Sequence, residues 1–367
     1  MKFTASREAL LKPLQAVIGV VERRQTMPIL ANVLLVAKNN RLSITATDLE
    51  VELVASGEAD VSSGGEITVP GRKLLDICRA LPESSEVAVS LSGDKLGLRS
   101  GRSRFTLTTL PAAEFPSVED IKAGAPIELP QSMLGRLIEK TWFSMAQQDV
   151  RYYLNGLLLE TGKKQLRAVA TDGHRLALAQ VQVDGKGLGT TETQVIVPRK
   201  GVLELQRLLG GQGDLTLELG QNHIRIQLDG IRFTSKLIDG RFPEYERVIP
   251  RDTDNVVTAD RELLRGALQR TAILSNEKYR GIRLSVRAGS ITLQAHNPEQ
   301  EEAEEELEVG YTGDELEIGF NVNYLLDALG AIDAEQVTLS VVDGNSSCLL
   351  RDPGTDDCKY VVMPMRL

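Results

Sequence analysis

One pattern is written three times along this chain, and a threefold repeat of this length constrains the fold and the architecture together. Residues 41–50 (RLSITATDLE), 165–174 (QLRAVATDGH) and 290–299 (SITLQAHNPE) align with offsets of 124 and 125. A second block, VPGRKLLDICRAL at 69–81, returns as VPRKGVLELQRLL at 197–209 and as FNVNYLLDALGAI at 320–332. A third block closes each copy: FTLTTLPAAEFP from Phe105, FTSKLIDGRFPEY from Phe233, and KYVVMPMRL from Lys359. Solenoid units repeat every ~20 to 50 residues, so a longer period makes each copy a whole domain. Domains are expected at 1–124, 125–252 and 253–367, each large enough for its own core.

Within a copy, two periodicities alternate. Segments 7–21, 131–146 and 261–275 carry apolar residues at helical spacing and read as the first helix of each domain. Segments 32–48 and 156–172 alternate around a polar turn, which marks a hairpin of half-buried strands. The Leu-rich block is a second helix, entered through Pro70 and Pro198, where proline costs nothing because the first-turn N–H has no partner. Further strands run to the pairs Phe115-Pro116 and Phe242-Pro243. The fold class expected is α+β, two helices and several antiparallel strands per copy. Linkers are expected near 117–126 and 249–255, where Pro, Gly and charge replace periodicity.

Composition is that of an ordinary globule, 42% apolar and 25% charged. No window approaches the ~18 apolar residues of a membrane span, and the opening MKFTASREALL lacks the apolar core of a signal peptide, so a cytoplasmic location is expected. Cys78, Cys348 and Cys358 have no metal-ligand spacing and are odd in number, which argues against a disulfide framework. The net charge of −9 argues against a nucleic-acid partner, but its distribution argues for one. Five of the six predicted helices are net basic, through Arg7 and Lys12, Arg72, Lys73 and Arg79, Arg136 and Lys140, Arg199, Lys200 and Arg207, and Arg261, Arg265 and Arg270. The sixth, 320–332, holds only Asp327. Basic helices on an acidic body suit a protein that holds a polyanion along one surface and repels it elsewhere.

Nine segments then carry a resemblance: KFTASREALLKPLQ (2–15), RSGRSRFTLTTLPAAEFP (99–116), DVRYYLNG (149–156), VATDGHRLAL (169–178), IVPRKGV (196–202), DGRFPEYERV (239–248), ILSNEKYRG (273–281), NPEQEEAEE (297–305) and YVVMPMRL (360–367). On these the chain resembles the bacterial sliding clamps, the beta subunits of DNA polymerase III, over its whole length. The resemblance implies a head-to-tail homodimer that closes six similar domains into a ring, with helices lining the hole and sheets forming the outer wall. Duplex DNA would thread the ring, which tethers a polymerase as a processivity factor without reading sequence. It implies no cofactor, no metal and no catalytic site, any polymerase class belonging to the holoenzyme.

The resemblance also implies three sets of residues. Arg24, Arg72, Lys73, Gln148, Tyr152, Tyr153, Arg199 and Lys200 would face DNA as a nonspecific lining. Partner proteins (polymerase subunits, clamp loader, repair proteins) would dock a short peptide against Leu154, Thr171, Gly173, His174, Arg175, Leu176, Pro243, Arg247, Val248, Val361, Val362, Met363, Pro364, Met365 and Arg366. Flexible, polarizable Met363 and Met365 suit many partners. Two or three apolar anchors at ~1.5 to 3 kcal/mol each match the ~8 kcal/mol of a micromolar, exchangeable complex. The dimer contact would join Lys73, Arg102, Arg104, Phe105 and Leu107 of one subunit to Ile273, Leu274, Glu299, Glu301 and Glu304 of the other, basic against acidic.

Two rival readings remain at the level of sequence. A hydrolase could use Asp172 and His174 as an acid–base pair, and Asp252 and Asp254 form a D-x-D that could hold metal. Against these stand only three histidines and the absence of a phosphate-binding loop or a Cys/His cluster. The other rival is a peptide-binding scaffold that never encloses DNA.

Overall fold

The computed structural model describes residues 1–21, 27–116, 124–162, 164–183, 192–250 and 255–366. The first copy runs β1 (Lys2–Ser6), α1 (Arg7–Val17), β2 (Asn32–Lys38), β3 (Arg41–Thr47), β4 (Val51–Glu58), β5 (Asp60–Ser63), β6 (Gly65–Pro70), α2 (Gly71–Ala80), β7 (Glu86–Ser92), β8 (Lys95–Ser100) and β9 (Ser103–Thr108). The second runs β10 (Ile127–Pro130), α3 (Gln131–Glu139), β11 (Gly156–Gly162), β12 (Gln165–Thr171), β13 (Arg175–Gln182), β14 (Thr193–Pro198), α4 (Arg199–Leu208), β15 (Asp214–Leu219), β16 (His223–Leu228) and β17 (Ile231–Lys236). The third runs β18 (Val256–Asp260), α5 (Arg261–Thr271), β19 (Gly281–Arg287), β20 (Ser290–His296), β21 (Glu302–Glu308), β22 (Leu316–Asn321), α6 (Val322–Ala331), β23 (Gln336–Ser340), β24 (Cys348–Arg351) and β25 (Cys358–Val362). Apart from the short β5, the order of elements is the same three times.

The first helix of each copy stops sooner than its apolar spacing predicts, at Val17, Glu139 and Thr271 instead of 21, 146 and 275. Each is followed by a short 3-10 turn. Local chemistry explains two of these stops. Val17, Ile18, Val20 and Val21 crowd a helix at χ1 and Gly19 loosens it, while Thr141 Oγ1 takes the Leu137 carbonyl at 2.6 Å beside the exit of α3. The starts are capped by side chains: Ser6 Oγ accepts from Ala9 N–H at 3.1 Å and Asp260 Oδ1 from Leu263 N–H at 2.9 Å. In α2 the residues Leu74, Leu75 and Cys78 form the buried stripe, and Leu325, Ala328 and Leu329 do so in α6.

All strand pairings are antiparallel, and they divide the chain into two compact units. One unit holds the five-stranded sheet β5-β1-β7-β8-β9 and the eight-stranded sheet β10-β15-β16-β17-β4-β3-β2-β6. The other holds the eight-stranded sheet β14-β11-β12-β13-β25-β24-β23-β18 and the four-stranded sheet β21-β20-β19-β22. Each eight-stranded sheet joins four strands of one copy to four of the next. The joins are β17 on β4, with Phe233 opposite Leu53, and β25 on β13, with Tyr360 opposite Ala177. Neighbouring copies are thus welded by backbone hydrogen bonds, whatever their linkers do. Of the expected linkers, 117–123 and 251–254 lie outside the described residues.

The pattern leaves two strands over. The last strand of a copy pairs with the fourth strand of the preceding copy twice, but β9 and β21 have no such partner among the described residues and end their sheets. A helix covers one face of β21, since α5 packs against β20 and β21 as α1 does against β3 and β4. Cys78, Cys348 and Cys358 are free and buried, and burial pushes the Cys78 and Cys348 thiols up to about 11 and about 12, which keeps them inert.

The helix-on-sheet contact can be tested with two glycines. A Cβ at Gly57 in β4 would stand 2.1 Å from the Ala9 carbonyl oxygen of α1, a backbone atom with nowhere to go. Gly57→Ala is expected to destabilise the protein by about 1 to 3 kcal/mol. Gly330→Ala in α6 meets nothing within 4 Å and is expected to raise stability by about 0.5 to 1 kcal/mol. Denaturant unfolding of both variants checks the opposite signs.

Candidate partner groove and nucleic-acid face

The turn between β12 and β13 is built by the residues TDGHR at 171–175. Asp172 Oδ1 accepts from the N–H groups of His174 and Arg175 at 2.9 and 3.1 Å. Thr171 Oγ1 donates to the Arg175 carbonyl at 2.6 Å and accepts from Gly173 N–H at 3.1 Å. Asp and Thr fold such turns because their short side chains mimic backbone acceptors, and Gly173 supplies the φ of +88°. The turn projects His174 outward, and the segment after β25 returns to it through Met363 N–H on the His174 carbonyl at 2.9 Å.

The residues proposed to line a partner groove fall into three groups. Leu154, Leu176, Val361 and Val362 are at most 3% exposed, and Leu176 and Val361 belong to a core cluster with Phe242 and Tyr245. They form a floor. His174, Pro243, Arg247, Val248 and Met363 are exposed, and the apolar ones among them, Val248 at 41% and Met363 at 37%, are exposed beyond what a folded core needs. Thr171 and Gly173 shape the turn. Pro364, Met365 and Arg366 point elsewhere: Met365 N–H bonds the Gly319 carbonyl of β22 at 2.9 Å, and these residues border cavities over β19 and β22.

Arg175 is a structural hub, a role its sequence context did not reveal. Its Nε donates to Asp172 Oδ2 at 3.0 Å, Nη1 to Asp327 Oδ2 at 2.5 Å and Nη2 to the Phe143 carbonyl at 2.6 Å. The guanidinium also lies 4.5 Å from the Tyr324 ring centroid. The only possible signal was Asp327, the lone charge on an otherwise uncharged sixth helix. This geometry removes the hydrolase reading, since Asp172 is consumed by Arg175 and two backbone N–H groups and bonds no imidazole. Asp252 and Asp254 lie outside the described residues, and no cluster that could hold a metal occurs among the described ones.

The residues proposed to face DNA are partly organised by the DVRYYLN loop. Asp149 accepts from Arg151 through its backbone N–H, Nε and Nη2 at 2.8, 3.0 and 2.9 Å. Asn155 clamps the same residue, taking Asp149 N–H at 2.9 Å and donating to its carbonyl at 2.8 Å. The loop so fixed holds Gln148, Val150 and Tyr152 in solvent, Val150 at 95% exposure and Tyr152 at 60%. Tyr153 instead packs on the core cluster. Lys73 is exposed. Arg72 donates to the Val21 carbonyl at 2.7 Å, and Arg199 to the Met145 carbonyl at 3.3 Å beside the Trp142 ring. Lys200 is half-buried, and Arg24 lies outside the described residues.

The charge read from the helices needs a correction. Arg136 and Lys140 are bound to Asp333, Arg207 to Glu204, Arg261 and Arg265 to Glu262, and Arg270 to Glu305. Much of the positive charge counted on α3 and α5 is therefore neutralised locally. Lys12, Lys73 and Arg79 are exposed without a carboxylate partner among the described residues. At the strand ends, Arg102 and Arg104 are exposed and Phe105 and Leu107 face the sheet interior, while Ile273 is 75% exposed, Leu274 half-buried, and Glu299, Glu301 and Glu304 exposed. No helix among the described residues is long and apolar enough to cross a membrane.

Known proteins match the whole chain. Residues 1–119, 128–244 and 246–366 match the N-terminal, central and C-terminal domains of the DNA polymerase III beta subunit. The beta sliding clamp of Pseudomonas putida is 58% identical over 100% of both chains. The crystal structure of the DNA polymerase III subunit beta from Pseudomonas aeruginosa superposes with a TM-score of 0.97 at 56% identity, covering 100% of both chains. A sliding clamp of Pseudomonas aeruginosa bound to griselimycin superposes with a TM-score of 0.96 at 57% identity and the same coverage.

The Asp149–Arg151 clamp makes a titration prediction. The Arg151 side chain and N–H hold the Asp149 carboxyl at about 2, below its ordinary 3.8. A depressed folded value means the clamp contributes fully above the ordinary value and is lost as pH falls through the folded one. A carboxyl NMR titration is expected to place Asp149 near 2, and Arg151→Ala to return it toward 3.8.

Proposed function

The chain belongs to the DNA polymerase III beta subunit family, the beta sliding clamps, and from that premise we propose how its surfaces divide the work. As a member it is a processivity factor for DNA polymerase III and a non-catalytic subunit of the holoenzyme. In our reading two chains, in the cytoplasm, close head to tail into a ring around duplex DNA. The three copies act as domains 1–124, 125–252 and 253–367.

One observation carries the ring: the two unpaired strands. Phe233 of β17 stands opposite Leu53 of β4, and Tyr360 of β25 opposite Ala177 of β13. The hairpins that end in these fourth strands share a register, with Thr47 opposite Glu52, Thr171 opposite Leu176 and His296 opposite Glu302. Ala303 of β21 therefore holds the place of Leu53 and Ala177. If β9 of a second chain extends this sheet by the same rule, Phe105 meets Ala303 and Arg104 meets Glu304. Apolar then faces apolar and basic faces acidic, with Arg102 carried on toward Glu306. Ile273 and Leu274, left bare beside β21, are covered by the same contact, while Lys73 stands ready to reach the acidic strand.

Partners dock in the groove around His174, with Val248 and Met363 at its rim and Leu154, Leu176, Val361 and Val362 beneath. Griselimycin, bound by a relative that shares this fold, would take the same groove here. Lys73, Arg199 and Lys200 and the exposed loop tips Gln148 and Tyr152 supply a lining that attracts DNA without reading it. Few free charges are needed, because enclosure and not affinity keeps the ring on DNA.

Light scattering tests the ring. The wild-type chain is expected to have twice its 40.1 kDa mass. Arg104→Glu is expected to shift it toward monomer at least tenfold in dissociation constant, and Glu304→Arg in the same chain to restore much of the loss. Equal effects of the single and double variants would contradict the register. Lys200→Glu with Gln148→Glu is expected to leave the mass unchanged and shorten the lifetime of loaded protein on nicked circular DNA severalfold.

A further inference from the structure

The groove turn has a twin in the first copy. Thr47–Val51, between β3 and β4, repeats Thr171–Arg175 bond for bond. Asp48 Oδ1 accepts from the N–H groups of Glu50 and Val51 at 2.9 and 2.7 Å. Thr47 Oγ1 donates to the Val51 carbonyl at 2.9 Å and accepts from Leu49 N–H at 3.1 Å. Lys236 N–H donates to the Glu50 carbonyl at 2.8 Å, as Met363 N–H does to His174. Backbone geometry and the returning strand are therefore the same at both turns.

The twins differ where a ligand would enter. Gly173 has φ +88° and no side chain, whereas Leu49 has φ +77° and carries one that is 39% exposed. A bulky residue in this region costs on the order of 1 kcal/mol, and exposing its apolar side chain returns nothing to stability. With matching backbones, the Leu49 Cβ leaves in the direction in which a Cβ at Gly173 would come within 2.9 Å of the Arg151 guanidinium. The twin thus carries leucine where the groove turn has only the end of the Arg151 side chain. The floor differs in the same sense: Glu52 stands for Leu176, Thr234 and Ser235 for Val361 and Val362, and Lys236 for Met363. Glu52 is 7% exposed and lies 3.7 Å from Arg232, so the twin's floor is polar and already charged.

We propose that Leu49 is a plug. With the polar floor around Glu52 it closes the twin of the partner groove, so each chain offers partners one groove, the one whose turn carries glycine in place of leucine. The strained, exposed leucine then has a purpose: it excludes apolar anchors from a turn that would otherwise present the same backbone to them. This inference rests on reading the Gly173 turn as the partner groove.

Calorimetric titration with griselimycin tests both statements. The wild-type chain is expected to bind one equivalent. Gly173→Leu is expected to weaken binding at least tenfold with an unchanged fold, since Leu49 shows that this backbone accepts leucine. Gly173→Ala, whose Cβ meets only the flexible end of Arg151, is expected to weaken it less. A transplant of the open turn into the first copy (Leu49→Gly, Glu52→Leu, Thr234→Val, Ser235→Val, Lys236→Met) is expected to bind a second equivalent. A Gly173→Leu chain that binds within twofold of wild type overturns the plug. So does one that fails to fold, or a folded transplant that still binds one equivalent. A wild-type chain that binds no griselimycin removes the groove reading itself, and the plug with it.

Discussion

Edge-to-edge strand pairing is the constraint on which the rest of the structure depends. An exposed strand edge is a row of unmet N–H and C=O groups, and a protein must cover, blunt or pair it. Here the fourth strand of a copy is paired by the last strand of the next, twice within one chain. Repetition alone would allow three independent beads. Pairing turns the repeat into continuous sheets, and it leaves β9 and β21 as the two complementary ends of a series that one chain cannot finish. Neither is blunted by proline, and only charge marks them, Arg on one and Glu on the other.

That framework explains where function sits. Each sheet junction brings a hairpin turn against a returning strand. In the proposed reading the second junction is the partner groove, apolar beneath and with Gly173 at its turn, and the first is its closed twin, polar beneath and with Leu49. Arg175 ties the second turn to Asp172, Asp327 and the Phe143 carbonyl, so a groove there would not have to be formed by its ligand. Such a site, with small apolar anchors, would suit partners that exchange.

The sequence made some of this readable and hid the rest for physical reasons. The repeat blocks placed all six helices and the hairpins, because apolar periodicity is a local signal. Helix ends were overrun at Thr271 and also at Val17 and Glu139, where a β-branched run, or Thr141 bonding the Leu137 carbonyl, competes with the next helical turn. Which strands pair across copies was not readable at all, since pairing is chosen among distant segments of similar alternation. The charge count was readable but overstated. Arg136 and Arg270 look like free charges as letters, and only coordinates show each bound to a carboxylate outside its own helix. The resemblance names Arg175 for the groove, but its letters do not show its bonds to Phe143 and Asp327, which lie 32 and 152 residues away.

Amide hydrogen exchange on β9 and β21 tests the central claim most directly. If these edges pair with a second chain, their outward-facing amides are protected like those of β17 and β25 at high concentration, and β9 and β21 lose protection together on dilution to monomer. Exchange as fast as that of the edge strand β5 at every concentration would contradict the pairing, and with it the ring.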